Sequence, residues 1–403
     1  MFATPAAVLG IWFRGLMAIA ILGAAGWCLH EWYDGLPNRV VIESPSPSAD
    51  DRHQERRLGA IERVTIWRPG FDQQSALLAG GALMLLWGLG GSALNRRLFL
   101  TRDPRGVPTL ETGKPYRLKR PDGTELHVEV HGPETAPTVV LTHGWGTDRN
   151  EWAYLKREWG DKFRLVVWDL PGLGQSSRPS NQDFSLEKMA TDLKAVVEFS
   201  GPQPVVLIGH SIGGMITLTF CRLFPELLGH SVSRLVIVHS SYTNPLRTMS
   251  MRALMVALQK PLIEPLLFLQ IALAPLVRAM NWLSYLNGSI HNSTARDGFG
   301  GTESRQQLDF VARFSLKASP AVVARGCFGM LRYDATETLK AISIPVLVVG
   351  GDRDPITALD ASQRIATDIP SARLQTLKPA KHYGMIEHVA AFAGSTAAFC
   401  IKP

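Results

Sequence analysis

Two long apolar runs and then a series of short ones divide the chain. Gly15 to Leu29 (GLMAIAILGAAGWCL) carries no charge, and with its extension back through Ala6 it includes only Arg14. That length is enough to span a bilayer. Ser75 to Leu94 (SALLAGGALMLLWGLGGSAL) is a second uncharged run, stopped by Asn95-Arg96-Arg97. Its glycines (Gly80, Gly81, Gly88, Gly90, Gly91) permit close helix packing. The pattern predicts a membrane hairpin: a first spanning helix within 1–30, a polar loop over 31–74, a second span over 75–97 and a linker over 98–115. A cleaved signal peptide is the rival for the first run, but Gly26-Trp27 before Cys28 makes a poor cleavage site. Residues 95–120 hold eight Lys/Arg against two acidic residues, and Glu31–Gln74 hold six against eight. This slight cationic bias places both termini, and the domain that follows, in the cytoplasm.

From Tyr116 the period changes. Leu126–Val130 alternates as a half-buried strand should, and Thr138–Thr142, Phe163–Trp168, Pro204–Ile208, Arg234–His239 and Pro345–Val349 read as strands buried on both faces. Arg373–Leu377 is a shorter strand. Helical patterns lie between them: one capped by an Asp148/Glu151 box and running through Trp159, another over about Leu186–Ser200, and a third from Met215 to Phe224. Strand–helix alternation predicts an α/β fold with a mostly parallel central sheet of about eight strands and helices on both faces. The rhythm stops between Ser241 and Asp334. Core segments at 116–240 and 336–403 therefore flank a helical cap at 241–335. Inside the cap, Pro261 to Leu286 is strongly apolar, with Pro265 and Pro275 expected to break it into short helices rather than a third span. Asp297-Gly298-Phe299-Gly300-Gly301 reads as a hinge.

Composition narrows the field. The net charge is +7, but Lys and Arg are dispersed and no basic run interleaves with aromatics, which excludes a nucleic-acid interface. Four scattered cysteines (Cys28, Cys221, Cys327, Cys400) give neither a zinc pattern nor a disulfide framework. No metal cluster or dinucleotide fingerprint occurs, so no cofactor is expected.

The chemistry concentrates at strand ends. Gly209-His210-Ser211-Ile212-Gly213 is a G-x-S-x-G between a strand and a helix. The tight turn needs small flanks at Gly209 and Gly213, and it sets the Ser211 hydroxyl over a helix N-terminus that favours a developing oxyanion. His143-Gly144-Trp145-Gly146 and Asp169-Leu170-Pro171-Gly172 end two other strands. Gly351-Asp352-Arg353-Asp354-Pro355 follows the strand at Pro345–Val349, and Lys381-His382-Tyr383-Gly384 follows Arg373–Leu377. A serine, an acid and a histidine thus follow one another at the carboxyl ends of strands, with Asp352 and Asp354 both eligible as the acid.

These blocks, with the acid and histidine segments taken together as the fourth, resemble the α/β-hydrolase superfamily in this order over roughly Tyr116 to Pro403. The resemblance implies Ser211 as nucleophile, His382 as general base and Asp354, by its register from Gly351, as the orienting acid. It also implies an oxyanion hole from the backbone N–H groups of Ile212 and Trp145, supported by His143, Gly144, Gly209, His210 and Gly213. Asp352, Asp169, His210 and His388 are then structural, and Cys221 is a core thiol. Lys381 departs from the family, which usually has glycine there. The triad would serve esters, thioesters, C–C bond hydrolysis, cofactor-free haloperoxidation or acyl transfer alike. Epoxide hydrolases and haloalkane dehalogenases use an aspartate where Ser211 stands. The greasy cap and the hairpin point to a lipophilic carboxylic ester as the small-molecule partner and to the bilayer as the other. A non-catalytic scaffold is the contrasting class, and the intact Ser211, Asp354 and His382 speak against it.

Overall fold

A computed structural model describes residues 4–35, 72–99, 102–103, 106–110 and 113–401. Most of the expected polar loop and part of the linker lie outside the described residues.

Eight strands form one sheet: β1 (Lys114–Lys119), β2 (Glu125–His131), β3 (Thr138–Thr142), β4 (Arg164–Trp168), β5 (Val205–His210), β6 (Val232–Val238), β7 (Val346–Gly351) and β8 (Ala372–Leu377). Their spatial order is β1-β2-β4-β3-β5-β6-β7-β8. The β1–β2 and β2–β4 pairs are antiparallel, and every later pair is parallel. Every residue of β3, β5 and β7 is buried. Their Val/Leu/Ile runs need both faces covered, which only flanking helices provide. Edge strand β1 (KPYRLK) alternates exposed and half-buried positions, and its charges escaped the sequence reading.

Two helices precede the sheet: α1 (Ala7–Asp34) and α2 (Gln73–Phe99). Helices α3 (Ala153–Trp159), α4 (Leu186–Phe199) and α5 (Ile212–Leu223) alternate with β3 to β6. The cap between β6 and β7 comprises α6 (Arg252–Leu258), α7 (Glu264–Ala272), α8 (Ala274–Leu286), α9 (Ser289–Gly298), α10 (Arg305–Ala312), α11 (Phe314–Lys317) and α12 (Pro320–Leu331). Helices α13 (Leu359–Asp368), α14 (Gly384–Glu387) and α15 (Val389–Ile401) complete the core.

Helices α1 and α2 are long and apolar enough to cross a membrane, and so is the continuous stretch Arg252–Ala272. This last corrects the expectation that Pro265 breaks the cap run. A π-turn over Gln259–Ile263 joins α6 to α7, and Pro265 sits in the first turn of α7, where the ring costs no hydrogen bond. The chain does break before Pro275, at Leu273, between α7 and α8.

The start of α1 is not free. Val8, Ile11 and Trp12 join the main core cluster with Ile263, Leu267, Val277 and Met280 of the cap, and Trp12 Nε1 donates to the Leu266 carbonyl at 3.4 Å. At the other end of the hairpin, Arg96 pairs with Asp309 of α10, which also accepts from Tyr285 Oη at 2.8 Å. The Asp297–Gly301 stretch is pinned rather than hinged. Phe299 is buried, Gly300 N–H donates to Glu387 at 2.7 Å, and Tyr383 N–H donates to the Gly298 carbonyl at 2.8 Å.

Candidate active site

The turn after β5 shows why its sequence is as it is. A Cβ on Gly209 would lie 2.3 Å from the Gly213 carbonyl oxygen, and one on Gly213 would lie 2.4 Å from that of Thr142. Both positions therefore exclude any side chain. Ser211 is left at φ 55°, ψ −118°, a conformation that costs a non-glycine residue about 1–3 kcal/mol. Its N–H donates to Val238 O at 2.9 Å and its carbonyl accepts from Ser240 Oγ at 2.7 Å. The strain is thus held by neighbours at the end of β6 and just after it.

The three sequence-selected groups converge. Ser211 Oγ lies 3.1 Å from His382 Nε2. His382 Nδ1 lies 2.9 Å from Asp354 Oδ2. The other Asp354 oxygen accepts from the N–H groups of Ile356 at 2.8 Å and Thr357 at 3.1 Å, and Thr357 Oγ1 donates to Oδ2 at 2.8 Å. Burial alone would raise the Asp354 carboxyl. The charge of His382, with contacts from His239 and His382, overrides it and holds the group well below the usual carboxylate range. Asp354 is thus a permanent acceptor for His382 Nδ1–H, leaving Nε2 free to take the Ser211 proton.

Asp352 takes a different part: its Oδ1 accepts the Ala380 N–H at 2.8 Å and fastens the acid loop to the histidine loop. Asp169 is likewise structural. It pairs with Arg149 at 2.8 Å and accepts the Gln175 N–H at 2.8 Å, while Arg149 also pairs with buried Glu129 at 2.7 Å. His388 bonds the Pro379 carbonyl at 2.6 Å.

The loop after β3 is more strongly built than its sequence suggested. His143 Nε2 accepts the Leu170 N–H at 3.0 Å, so Nδ1 carries the proton and donates to the Gly144 carbonyl at 2.8 Å. Glu151 does not complete a capping box. It is fully buried, and its Oε2 accepts the Gly144 N–H at 2.7 Å. Its Oε1 faces His210 Nδ1 at 3.1 Å, and the Asp148 carboxyl caps the turn alone, through the Asn150 N–H. Burial would raise the Glu151 carboxyl, but facing His210 and the Gly144 N–H lower it. His210 Nε2 in turn lies 3.0 Å from the His382 carbonyl oxygen. One chain of contacts therefore runs from the Gly144–Trp145 loop through Glu151 and His210 to the histidine loop.

His239 was missed. It ends the β6 strand run at φ 43°, fully buried, with Nδ1 3.3 Å from Asp354 Oδ2 but off hydrogen-bond geometry. Burial lowers its pKa, against the pull of Asp354, so it stays neutral behind the acid. Nothing in its local sequence signals this, because the partner lies more than a hundred residues away. Lys381, the departure from the family pattern, donates to the Arg296 carbonyl at 2.5 Å and ties the histidine loop to α9 of the cap. Cys221 is buried in α5, and burial pushes its thiol up to about 12, an inert core group.

Ile212 opens α5, where first-turn N–H groups have no intrahelical acceptor. Trp145 borders the same small space as Ser211, and its ring is fixed by Nε1 donating to Val323 O at 2.9 Å. A buried hydroxyl, a base with a fixed acid, and a helix N-terminus can together carry out nucleophilic acyl transfer.

Comparison with known proteins agrees with this architecture. Human epoxide hydrolase 4 is 32% identical over 167 residues, covering 40% of this chain and 45% of that protein. The chain thus spans about half the length of such curated relatives. The 3-oxoadipate enol-lactonase 1 of Acinetobacter baylyi is 24% identical, covering 66% of this chain and 89% of its own. Among solved structures, an esterase from Exiguobacterium antarcticum superposes with a TM-score of 0.58 at 19% identity, covering 71% of this chain and 99% of that one, a likeness of fold. The sequence profile of the alpha/beta hydrolase fold matches residues 137–389, from the start of β3 to the start of α15. With strand order, elbow and profile in agreement over most of its length, the chain belongs to the alpha/beta hydrolase fold family.

Proposed function

We propose that this protein is a membrane-tethered serine hydrolase that cleaves a carboxylic ester of a lipophilic substrate through an acyl-enzyme on Ser211. The observation that carries the reading is the relay Ser211–His382–Asp354, with links of 3.1 and 2.9 Å. His382 Nε2 takes the hydroxyl proton as Ser211 Oγ attacks the ester carbonyl. The N–H groups of Ile212 and Trp145 receive the oxyanion, and His382 returns the proton to the leaving alcohol. Water then repeats the sequence on the acyl-serine. Asp354, fixed by three donors from its own loop, holds the histidine tautomer throughout.

Ser211 also argues against epoxide opening, the activity in the name of one relative. A carboxylate opening an epoxide gives an ester that water can cleave, whereas a serine gives an ether that it cannot. The name of the lactonase relative supports the ester bond instead.

The tether rests on the two N-terminal helices and on the outer face of the cap, where Phe268 is 62% and Trp282 49% exposed. Exposed apolar area of this kind suits a bilayer, and the excess of Lys and Arg over residues 95–120 favours the catalytic domain on its cytoplasmic side. Fluorophosphonate labelling of the membrane-bound protein tests the core claim. Wild type should form an adduct that Ser211→Ala lacks, and an ester panel should show activity rising with chain length. Wild type without an adduct would sink the hydrolase reading. A C-terminal reporter active only outside the cytoplasm would reverse the orientation.

A further inference from the structure

The space around Ser211 is almost closed. Thr4, Gly144, Trp145, His382 and Tyr383 leave about 10 Å³ beside the hydroxyl, room for about one water. Next to it lies a chamber of about 350 Å³, within the usual range for a small-molecule site. Thr4 belongs to both walls. The chamber is bounded by Pro355 and Ile356 of the acid loop, by Met251 and Met255 where the cap begins, and by Ala7 and Gly10 in the first turns of α1. The Ile356 N–H that donates to Asp354 connects it directly to the relay. A larger cavity of about 880 Å³, walled by Phe184, Phe268 and Arg325 among others, shares no residue with the Ser211 space.

We propose that this chamber is the subsite for the apolar arm of the substrate, and that the first turns of α1 form its specificity wall. This rests on the ester-hydrolase reading. Methionines at Met249, Met251 and Met255 give the chamber an adaptable apolar lining. Small residues on α1 leave its volume open: the three atoms nearest a Cβ on Gly10 all belong to the Arg14 guanidinium, the far end of a flexible side chain. Two guanidinium groups, Arg14 and Arg296, stand in the wall against one carboxylate, Asp297, so a neutral or anionic arm is accepted over a cationic one. An ester reaching Ser211 displaces Thr4 and lays its arm against α1. The hairpin is then part of the substrate site as well as the tether.

The test compares labelling rates of the full-length protein in detergent with ethyl and dodecyl fluorophosphonates. Wild type should favour the dodecyl probe. Ala7→Trp, which fills the chamber, should lower the dodecyl-to-ethyl ratio about tenfold, the scale set by a few methylenes in an apolar pocket. Met255→Ala should raise it, and Ala20→Trp, exposed on the same helix, should keep the wild-type ratio. If Ala7→Trp labels with neither probe, Gly10→Leu poses the same question with a smaller side chain. An unchanged ratio in a variant that still labels overturns the chamber and leaves the serine-hydrolase reading standing. Wild type that labels with neither probe overturns both.

Discussion

The interior beneath Ser211 and the outer surface of the hairpin and cap solve opposite problems with the same residue types. Beneath Ser211, charged groups are buried and each meets a counterpart: Asp354 with His382, Glu151 with the Gly144 N–H, Arg149 with Glu129 and Asp169. Removed from water, each would cost several kcal/mol unpaired. On the outer faces of α2 and α7 large apolar side chains are exposed, with Leu86 at 70% and Phe268 at 62%. The first region is ordered for chemistry by cancelling charge. The second is an apolar surface in search of an apolar solvent. The difference teaches that burial alone does not mark function here. What marks it is which region holds paired charge and which presents unpaired grease.

Substitutions can break this contrast. Asp354→Asn removes the counterpart of His382 and favours the wrong tautomer. It should lower kcat by about 10⁴ while the far-UV spectrum stays unchanged, measured against the best ester of the panel. A charge placed on each side should separate the regions. Leu141→Asp, in fully buried β3, should leave no folded protein by size exclusion in detergent. Leu86→Asp should fold but bind membranes more weakly, by about 2.5–3.5 kcal/mol for a charge at a helix centre in the bilayer, read as release by alkaline carbonate wash. Equal effects from the two would erase the distinction. Glu151→Gln, which loosens the grip on the Gly144 N–H, should cost about 10² in kcat, the low end for disturbing an oxyanion donor, with KM nearly constant.

The smallest effect concerns pH. Asp354, Glu151 and Glu129 are all held below their ordinary values, so their stabilisation is complete above the unfolded pKa of about 4 and is lost as pH falls through the lowered values. His239 is also lowered. A buried neutral histidine gives the same sign, starting near an unfolded pKa of about 6.5. The unfolding temperature should therefore be flat near neutrality, dip slightly below about pH 6.5 and fall steeply below about pH 4. In His239→Gln the first dip should vanish and the second remain.

Much of this was legible in the sequence where local pattern and distant order agree. Five buried runs became β3 to β7 because a stretch apolar on both faces has no other stable place in a covered parallel sheet. Ser211 and Asp354 were findable because each follows such a run, and His382 because it follows the shorter strand β8. Glu151 was misread because its spacing from Asp148 imitates a capping box, while the Gly144 N–H that claims it comes from the preceding loop. His239 was invisible because its role depends on Asp354, reached only through the sheet. Pro265 misled because a π-turn absorbs what a proline ordinarily breaks. The start of α1 read simply as part of a span, since hydropathy cannot tell lipid from a cap helix.

That last point has a practical side. Val8, Ile11 and Trp12 fill a recess made by Ile263, Leu267, Val277 and Met280, and Gly15 admits Met280 so closely that a single added methyl group would overlap it. Cutting the chain ahead of the sheet to obtain a detergent-free enzyme would therefore uncover a hydrophobic trough instead of trimming a handle. A water-soluble version is better sought by recolouring the outward faces of α1, α2 and α7 with polar residues while leaving the first four turns of α1 in place.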